Sequence, residues 1–183
     1  MAATAIVVPV LEAEPSVDCW RRRYTQDGAD GMPPHVTLLY PFVDDRVLVG
    51  GHVCGIRRVL ACFAPLDFEL RGFAEFPSTE GAPVLYLEPD PTEPFLEMTA
   101  AIARVFPDYP PYGGQFAEII PHLTIAEHAQ APLSDIRDDV ASVLPIAAQA
   151  REAWLMQHGT DGWRMRNRID LSVTGEDYRD EPL

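Results

Sequence analysis

The sequence predicts an α+β fold built on antiparallel sheet. Three observations carry this. Short β-branched or alternating segments pair as hairpins, 66–76 with 84–87 and 150–156 with 163–173. Other segments place apolar residues three and four apart, giving about four helices to about seven strands, without the regular alternation of a parallel sheet. A short pattern, His-apolar-Thr-apolar, also occurs twice, at His35-Val36-Thr37-Leu38 and His122-Leu123-Thr124-Ile125, about half a chain length apart.

The elements follow in order. Ala5 to Val10 is a short β-branched strand. Pro15 to Gln26 reads as a helix with Val17, Trp20 and Tyr24 on one face. Arg21, Arg22 and Arg23 fall within it, and a run of charge reads first as a solvated face. The functional alternative is that one of the three reaches a phosphate-binding groove. Asp27 to Pro34 is a loop rich in Gly, Asp and Pro.

His35 to Tyr40 is the next strand, ended by Pro41, which has no N–H for a ladder. Residues i and i+2 of a strand share a face. His35 and Thr37 therefore lie side by side, and Val36, Leu38 and Tyr40 point to the core. Phe42 joins them there unless Pro41 breaks the alternation. Either ring, Tyr40 or Phe42, is also placed to stack on a base at the end of the strand.

Val47 to Phe63 reads as a helix, with Val49, Val53, Ile56, Leu60 and Phe63 as its apolar stripe. Leu66 to Phe76, a turn over Pro77 to Ala82, and Val84 to Leu87 form a hairpin. Thr92 is the expected N-cap of a helix whose stripe is Phe95, Met98, Ile102, Val105 and Phe106. Pro107 to Gly114 is loop. Phe116 to Glu127 holds the second motif strand. Leu133 to Leu144 is a helix with Ile136, Val140 and Val143 on one side. In the last strand, Arg164, Arg166 and Arg168 alternate on one face, the strongest basic patch in an acidic chain. One domain is expected over 1–173, followed by a polar tail over 174–183.

Composition narrows the function. With 183 residues, 47% of them hydrophobic, the chain is long enough and apolar enough for one sizeable core. No apolar run approaches the ~20 residues of a membrane helix. Cys19, Cys54 and Cys62 lack ligand spacing and read as reduced thiols, so a cytoplasmic monomer is expected. The 14 basic against 28 acidic side chains give a formal charge of −14, which repels a long nucleic-acid duplex. A local cluster of Arg and His still admits a small nucleotide.

The paired motifs point to chemistry. Two imidazoles titrating near neutral pH can act as general base and general acid. Two hydroxyls beside them can hydrogen-bond phosphoryl oxygens. That is a phosphoester site with no metal and no cofactor, since no cluster has zinc or two-metal spacing.

These motifs resemble those of the 2H phosphoesterases, the superfamily of 2′-5′ RNA ligase-like proteins and cyclic nucleotide phosphodiesterases. Gly31-Met32-Pro33-Pro34 and Tyr40-Pro41-Phe42 also resemble bacterial members, and the order of elements fits over roughly residues 4 to 172. The resemblance implies a bilobal fold in which two antiparallel-sheet lobes with outer helices set the motif strands across a central groove. The expected catalytic residues are His35 and His122, with Thr37 and Thr124 on the phosphate. Tyr40, Phe42, Arg164 and Arg166 are candidate substrate contacts. The leading function is an RNA-processing hydrolase opening a 2′,3′-cyclic phosphate on a small nucleotide or RNA 3′ end. The reverse reaction would be 2′-5′ ligation. His122 is assigned as base and His35 as acid, although the sequence does not fix the direction. The alternatives are another small ester, such as a 2′-5′ oligonucleotide or an ADP-ribose cyclic phosphate, and a nucleotide- or RNA-binding module without turnover.

Overall fold

A computed structural model describes residues 4–77, 83–128 and 130–172. The strands are β1 (Thr4–Pro9), β2 (His35–Leu39), β3 (Leu66–Phe76), β4 (Val84–Asp90), β5 (Leu123–Ala126), β6 (Ile146–Ala150), β7 (Glu152–Gly159) and β8 (Gly162–Asp170). The helices are α1 (Glu14–Tyr24), α2 (Gln26–Ala29), α3 (Gly50–Leu60), α4 (Glu93–Val105) and α5 (Leu133–Ala141). The strands form two four-stranded antiparallel sheets, ordered β2-β1-β7-β8 and β5-β4-β3-β6. This is the expected α+β, bilobal architecture. The two motif strands, β2 and β5, are each the edge of their own sheet, and they approach one another.

The helices cross between lobes. α1 follows a strand of the first sheet but packs on β5 and α5 of the second. α4 follows a strand of the second sheet but packs on β2 of the first. One buried cluster accordingly draws on both sheets, with Ile6, Val36 and Leu38 from the first and Leu70, Leu87 and Ile125 from the second. A smaller cluster of Ala5, Val7, Met32, Trp154, Met156 and Trp163 lies on the opposite side of the first sheet. Among the described residues no helix is long and apolar enough to cross a membrane.

Several expectations shift. The helix expected over 15–26 breaks at Thr25, which is extended; its hydroxyl donates to the Arg21 carbonyl and accepts from the Gly28 N–H. α3 starts at Gly50, so Val49 lies outside the helix and 59% exposed instead of on its buried stripe. Val105, the last residue of α4, and Val143, two residues beyond α5, are exposed as well. Thr92 precedes α4, but its hydroxyl donates to the Pro89 carbonyl instead of capping the helix. The second motif strand is only four residues long, and His122 stands just before it. The sequence pattern does not predict β6, because Ile146–Ala150 lacks the β-branched run that marks a strand. The turn over 78–82 and the tail over 174–183 lie outside the described residues.

Candidate functional site

A cleft of about 800 Å³ lies between the lobes, and His35, Thr37, His122 and Thr124 all line it. The same local device builds each half. Pro34 and Pro121 precede the histidines, and the carbonyl one residue further back turns onto the ring. His35 Nδ1 is 2.8 Å from Pro33 O, and His122 Nδ1 is 2.6 Å from Ile120 O. A carbonyl can only accept, so Nδ1 carries the hydrogen in both rings. Nε2 is then the nitrogen each ring has free for the cleft.

Each motif strand then carries a bulge. Thr37 pairs with Val7 and Leu39 with Ile6, two residues of β2 against one of β1. Thr124 pairs with Tyr86 and Ala126 with Leu85 in the same way. The extra residue reverses the alternation after Leu38 and after Ile125. Leu38 and Leu39 are both buried, as are Ile125 and Ala126. The fifth residue beyond each histidine, Tyr40 or Glu127, consequently reaches the cleft.

This corrects the orientation expected for Tyr40. Its ring is 38% exposed, lines the cleft and meets Trp163 edge-on at 6.1 Å. Gly162, at φ +90°, allows the close approach in which Trp163 N–H donates to the Asp30 carbonyl at 2.7 Å. Trp163 Nε1 also donates to Asp27 at 2.9 Å. Phe42 does not reach the cleft; it is 5% exposed and packs on Phe106 and Tyr109 in the core.

Arg164 and Arg166 are likewise absent from the cleft wall. Arg164 pairs with Asp161 at 2.6 Å, and Arg166 with Asp45 and, at 3.1 Å, Gln157. Their strand is the edge of the first sheet farthest from β2, about 14 Å away at ordinary strand spacing. The row does not hold one face either. Four residues of β8, Met165 to Arg168, span three of β7, so Arg168 lies over the Trp154 ring and Arg166 turns to Gln157.

Arg21 is the guanidinium that reaches the cleft. It is 1% exposed, while Arg22 is exposed and pairs with Asp18 at 2.7 Å and Arg23 is exposed. Its Nη1 donates to the Thr124 carbonyl, and Nη2 lies 3.4 Å from both the Met32 and Pro33 carbonyls. Nε is buried without a hydrogen-bond partner among the described residues, a cost of about 1–3 kcal/mol. Burial lowers the guanidinium to about 10, opposed by Asp27, Asp18 and Glu127, so it stays charged at neutral pH. The sequence holds a faint signal for it. Arg21 follows Val17 by four residues and precedes Tyr24 by three, so it shares the apolar face that the pattern assigns to the core.

The two imidazoles differ in surroundings. His35 is 8% exposed, and burial lowers its pKa to about 3, helped by the positive charge of Arg21. His122 is half-buried and is also lowered by burial, while the bond to Ile120 opposes the shift. It sits against two rings, Phe76 at 4.8 Å and Tyr86 at 5.2 Å. Thr37 shares a hydrogen bond with the Tyr112 hydroxyl. Tyr112 is held there by its N–H, which donates to the Tyr40 carbonyl at 2.6 Å. Among the described residues no group of three or more His, Cys, Asp or Glu is arranged to hold a metal ion.

The family model of the 2′-5′ RNA ligase superfamily matches residues 8–162. The chain belongs to that superfamily. A Bacillus licheniformis protein named as a candidate phosphoesterase is 24% identical over 148 residues, 80% of this chain and 81% of its own. A similarly named Bacillus pumilus protein is 25% identical over 141 residues, 77% of each chain. The superfamily's fold is also seen in TT0787 of Thermus thermophilus, with a TM-score of 0.62 at 17% identity over 92% of this chain and 97% of that one. LigT of E. coli in complex with 3′-AMP gives 0.60 at 13% identity, with the same coverage.

Proposed function

We propose that this chain is a phosphoesterase that opens 2′,3′-cyclic phosphates of small nucleotides or RNA ends by acid–base catalysis between His35 and His122. The observation that carries this is the pair of imidazoles, each with Nδ1 anchored to a carbonyl, lining one cleft with two threonines. The neutral imidazole takes a proton from water as water attacks phosphorus. The protonated one gives its proton to the departing ribose oxygen. Thr37 and Thr124 hold the nonbridging oxygens, where negative charge accumulates. Run in reverse with a 2′-hydroxyl in place of water, the same groups join two ends.

The surroundings favour His35 as base and His122 as acid, the reverse of the assignment taken from sequence. A ring buried beside a fixed guanidinium resists a second positive charge, so His35 is the one that stays neutral. His122 lacks that neighbour and accepts a proton more readily.

Nucleotide binding is supported by the E. coli LigT structures, which hold 3′-AMP, NADP+ or ATP. Tyr40, Tyr112, Phe116 and Trp163 supply rings for a base. Charge argues against the ADP-ribose alternative. Among the described residues Arg21 is the one guanidinium on the cleft wall, and Asp27, Glu118 and Glu127 share it. A pyrophosphate would meet those carboxylates.

Product analysis with nucleoside 2′,3′-cyclic phosphates and ADP-ribose cyclic phosphate tests the reading. A nucleoside monophosphate product at a multiple-turnover rate is expected. Binding without turnover of any ester would establish the binding module instead.

A further inference from the structure

The cleft needs two segments from different lobes held to within a fraction of an ångström. Neither motif strand is hydrogen-bonded to the other, because each is an edge paired only to its own sheet. One side chain bridges them. Arg21 donates through Nη1 to the carbonyl of Thr124, inside the second motif. Through Nη2 it approaches the carbonyl of Pro33, the same oxygen that accepts the His35 Nδ1 hydrogen. We propose that Arg21 is a positioning residue that ties the His35 anchor to the second motif strand and so sets the two halves of the cleft in catalytic register.

The surrounding contacts support the role. Tyr24 O accepts from Glu127 N at 2.8 Å, and Glu127 Oε1 accepts from Gln26 N at 2.7 Å, so the helix end bearing Arg21 is itself seated on the second motif's end. Thr25 N and Oγ1 both donate to the Arg21 carbonyl at 2.9 Å, which fixes the residue's backbone. Gly28 completes the seat, because a Cβ there would stand 2.6 Å from the Arg21 carbonyl. The guanidinium is also the neighbouring charge that acts most strongly on His35. The other groups around that ring are His122 across the cleft and, acting on Arg21, Asp27, Asp18 and Glu127.

The inference rests on the two-histidine reading, so its test includes a measurement that needs no turnover. Arg21→Lys keeps the charge and loses the planar fork that reaches three carbonyls. Arg21→Met loses both. With Arg21→Lys, kcat on a nucleoside 2′,3′-cyclic phosphate is expected to fall about 10²-fold with KM little changed, the signature of misplacement. In an NMR titration of the His35 ring, Arg21→Lys is expected to leave the pKa low. Arg21→Met is expected to move it up toward the ~6.5 of a free histidine, and with it the acid limb of kcat/KM. Circular dichroism establishes which variants fold. If Arg21→Met does not fold, Arg21→Lys decides. Wild-type kcat in folded Arg21→Lys, or an unmoved His35 titration in folded Arg21→Met, overturns the proposal. Failure of the two-histidine reading would show separately, as full activity in histidine variants of the otherwise unchanged protein.

Discussion

The two histidines begin alike and end in different environments. Both follow X-Pro, both bond a carbonyl two residues back, and both precede a threonine and a bulge. His35 is then enclosed beside a guanidinium carried in by α1. His122 is left half-buried against Phe76 of β3 and Tyr86 of β4. The motif therefore supplies geometry twice and leaves the difference in proton affinity to residues far away in sequence. An acid–base pair needs that difference, since two identical imidazoles would titrate together.

The strongest test removes each histidine in turn. His35→Ala and His122→Ala are each expected to lower kcat/KM by about 10²–10⁴-fold, and the double variant is expected to be little worse than either. Losses that multiply would mean that the two rings do not act in one transition state. Thr37→Val and Thr124→Val come next, at about 10²–10³-fold, the usual cost of one lost oxyanion donor. Steady-state rates on a single cyclic nucleotide give both comparisons. Equal KM with reduced kcat would place the hydroxyls on the transition state, and raised KM alone would make them ground-state contacts.

The pH profile tests the asymmetry directly. A neutral His35 is available only above its pKa of about 3, and a protonated His122 only below its own, which burial holds under the ordinary ~6.5. The bell of kcat/KM is therefore expected to peak on the acid side of 6.5, lower than free histidines would place it. Phe76→Ala admits water to His122, so its alkaline limb is expected to move to higher pH while the acid limb stays. An acid limb that moves instead would return the base role to His122.

The smallest effect expected is that of substrate length. Arg164 and Arg166 are engaged by Asp161 and Asp45, away from the cleft, so among the described residues no basic track leads into it. A mononucleotide is expected to be turned over nearly as well as a long RNA with the same end, with a weak salt dependence. A long RNA preferred by orders of magnitude, with a steep salt slope, would reveal a track on another face.

Much of this is legible in sequence because it is local. Period-two alternation locates β3 to the residue, and the four motif side chains follow from the repeat alone. What fails depends on pairing. A parity rule turns Tyr40 toward the core, and the bulge in β2 breaks that rule; the same rule gives the Arg164–Arg168 row one face across a bulge in β8. A bulge belongs to a register between two strands, which one strand's residues do not encode. In sequence Arg21 is one of three arginines, set apart only by sharing the face of Val17 and Tyr24. Its burial depends on α1 crossing to the other lobe, a contact between residues 103 apart in sequence.

The twin bulges carry a further consequence. Each works as a frameshift in side-chain parity, written into the backbone just after the motif. Deleting the extra residue there would restore strict alternation, so residues before and after it would keep both their faces and their partners across the ladder. Such a deletion beyond Thr37 would leave the Tyr40 ring on the cleft face, and beyond Thr124 the Glu127 carboxylate, which also caps the start of α2, and would remove only the local bend and added twist of the strand. The spacing of five from histidine to cleft wall is thus four ladder steps plus one surplus residue, and what that residue adds is the aim of the wall side chain, through the bend, and not its face.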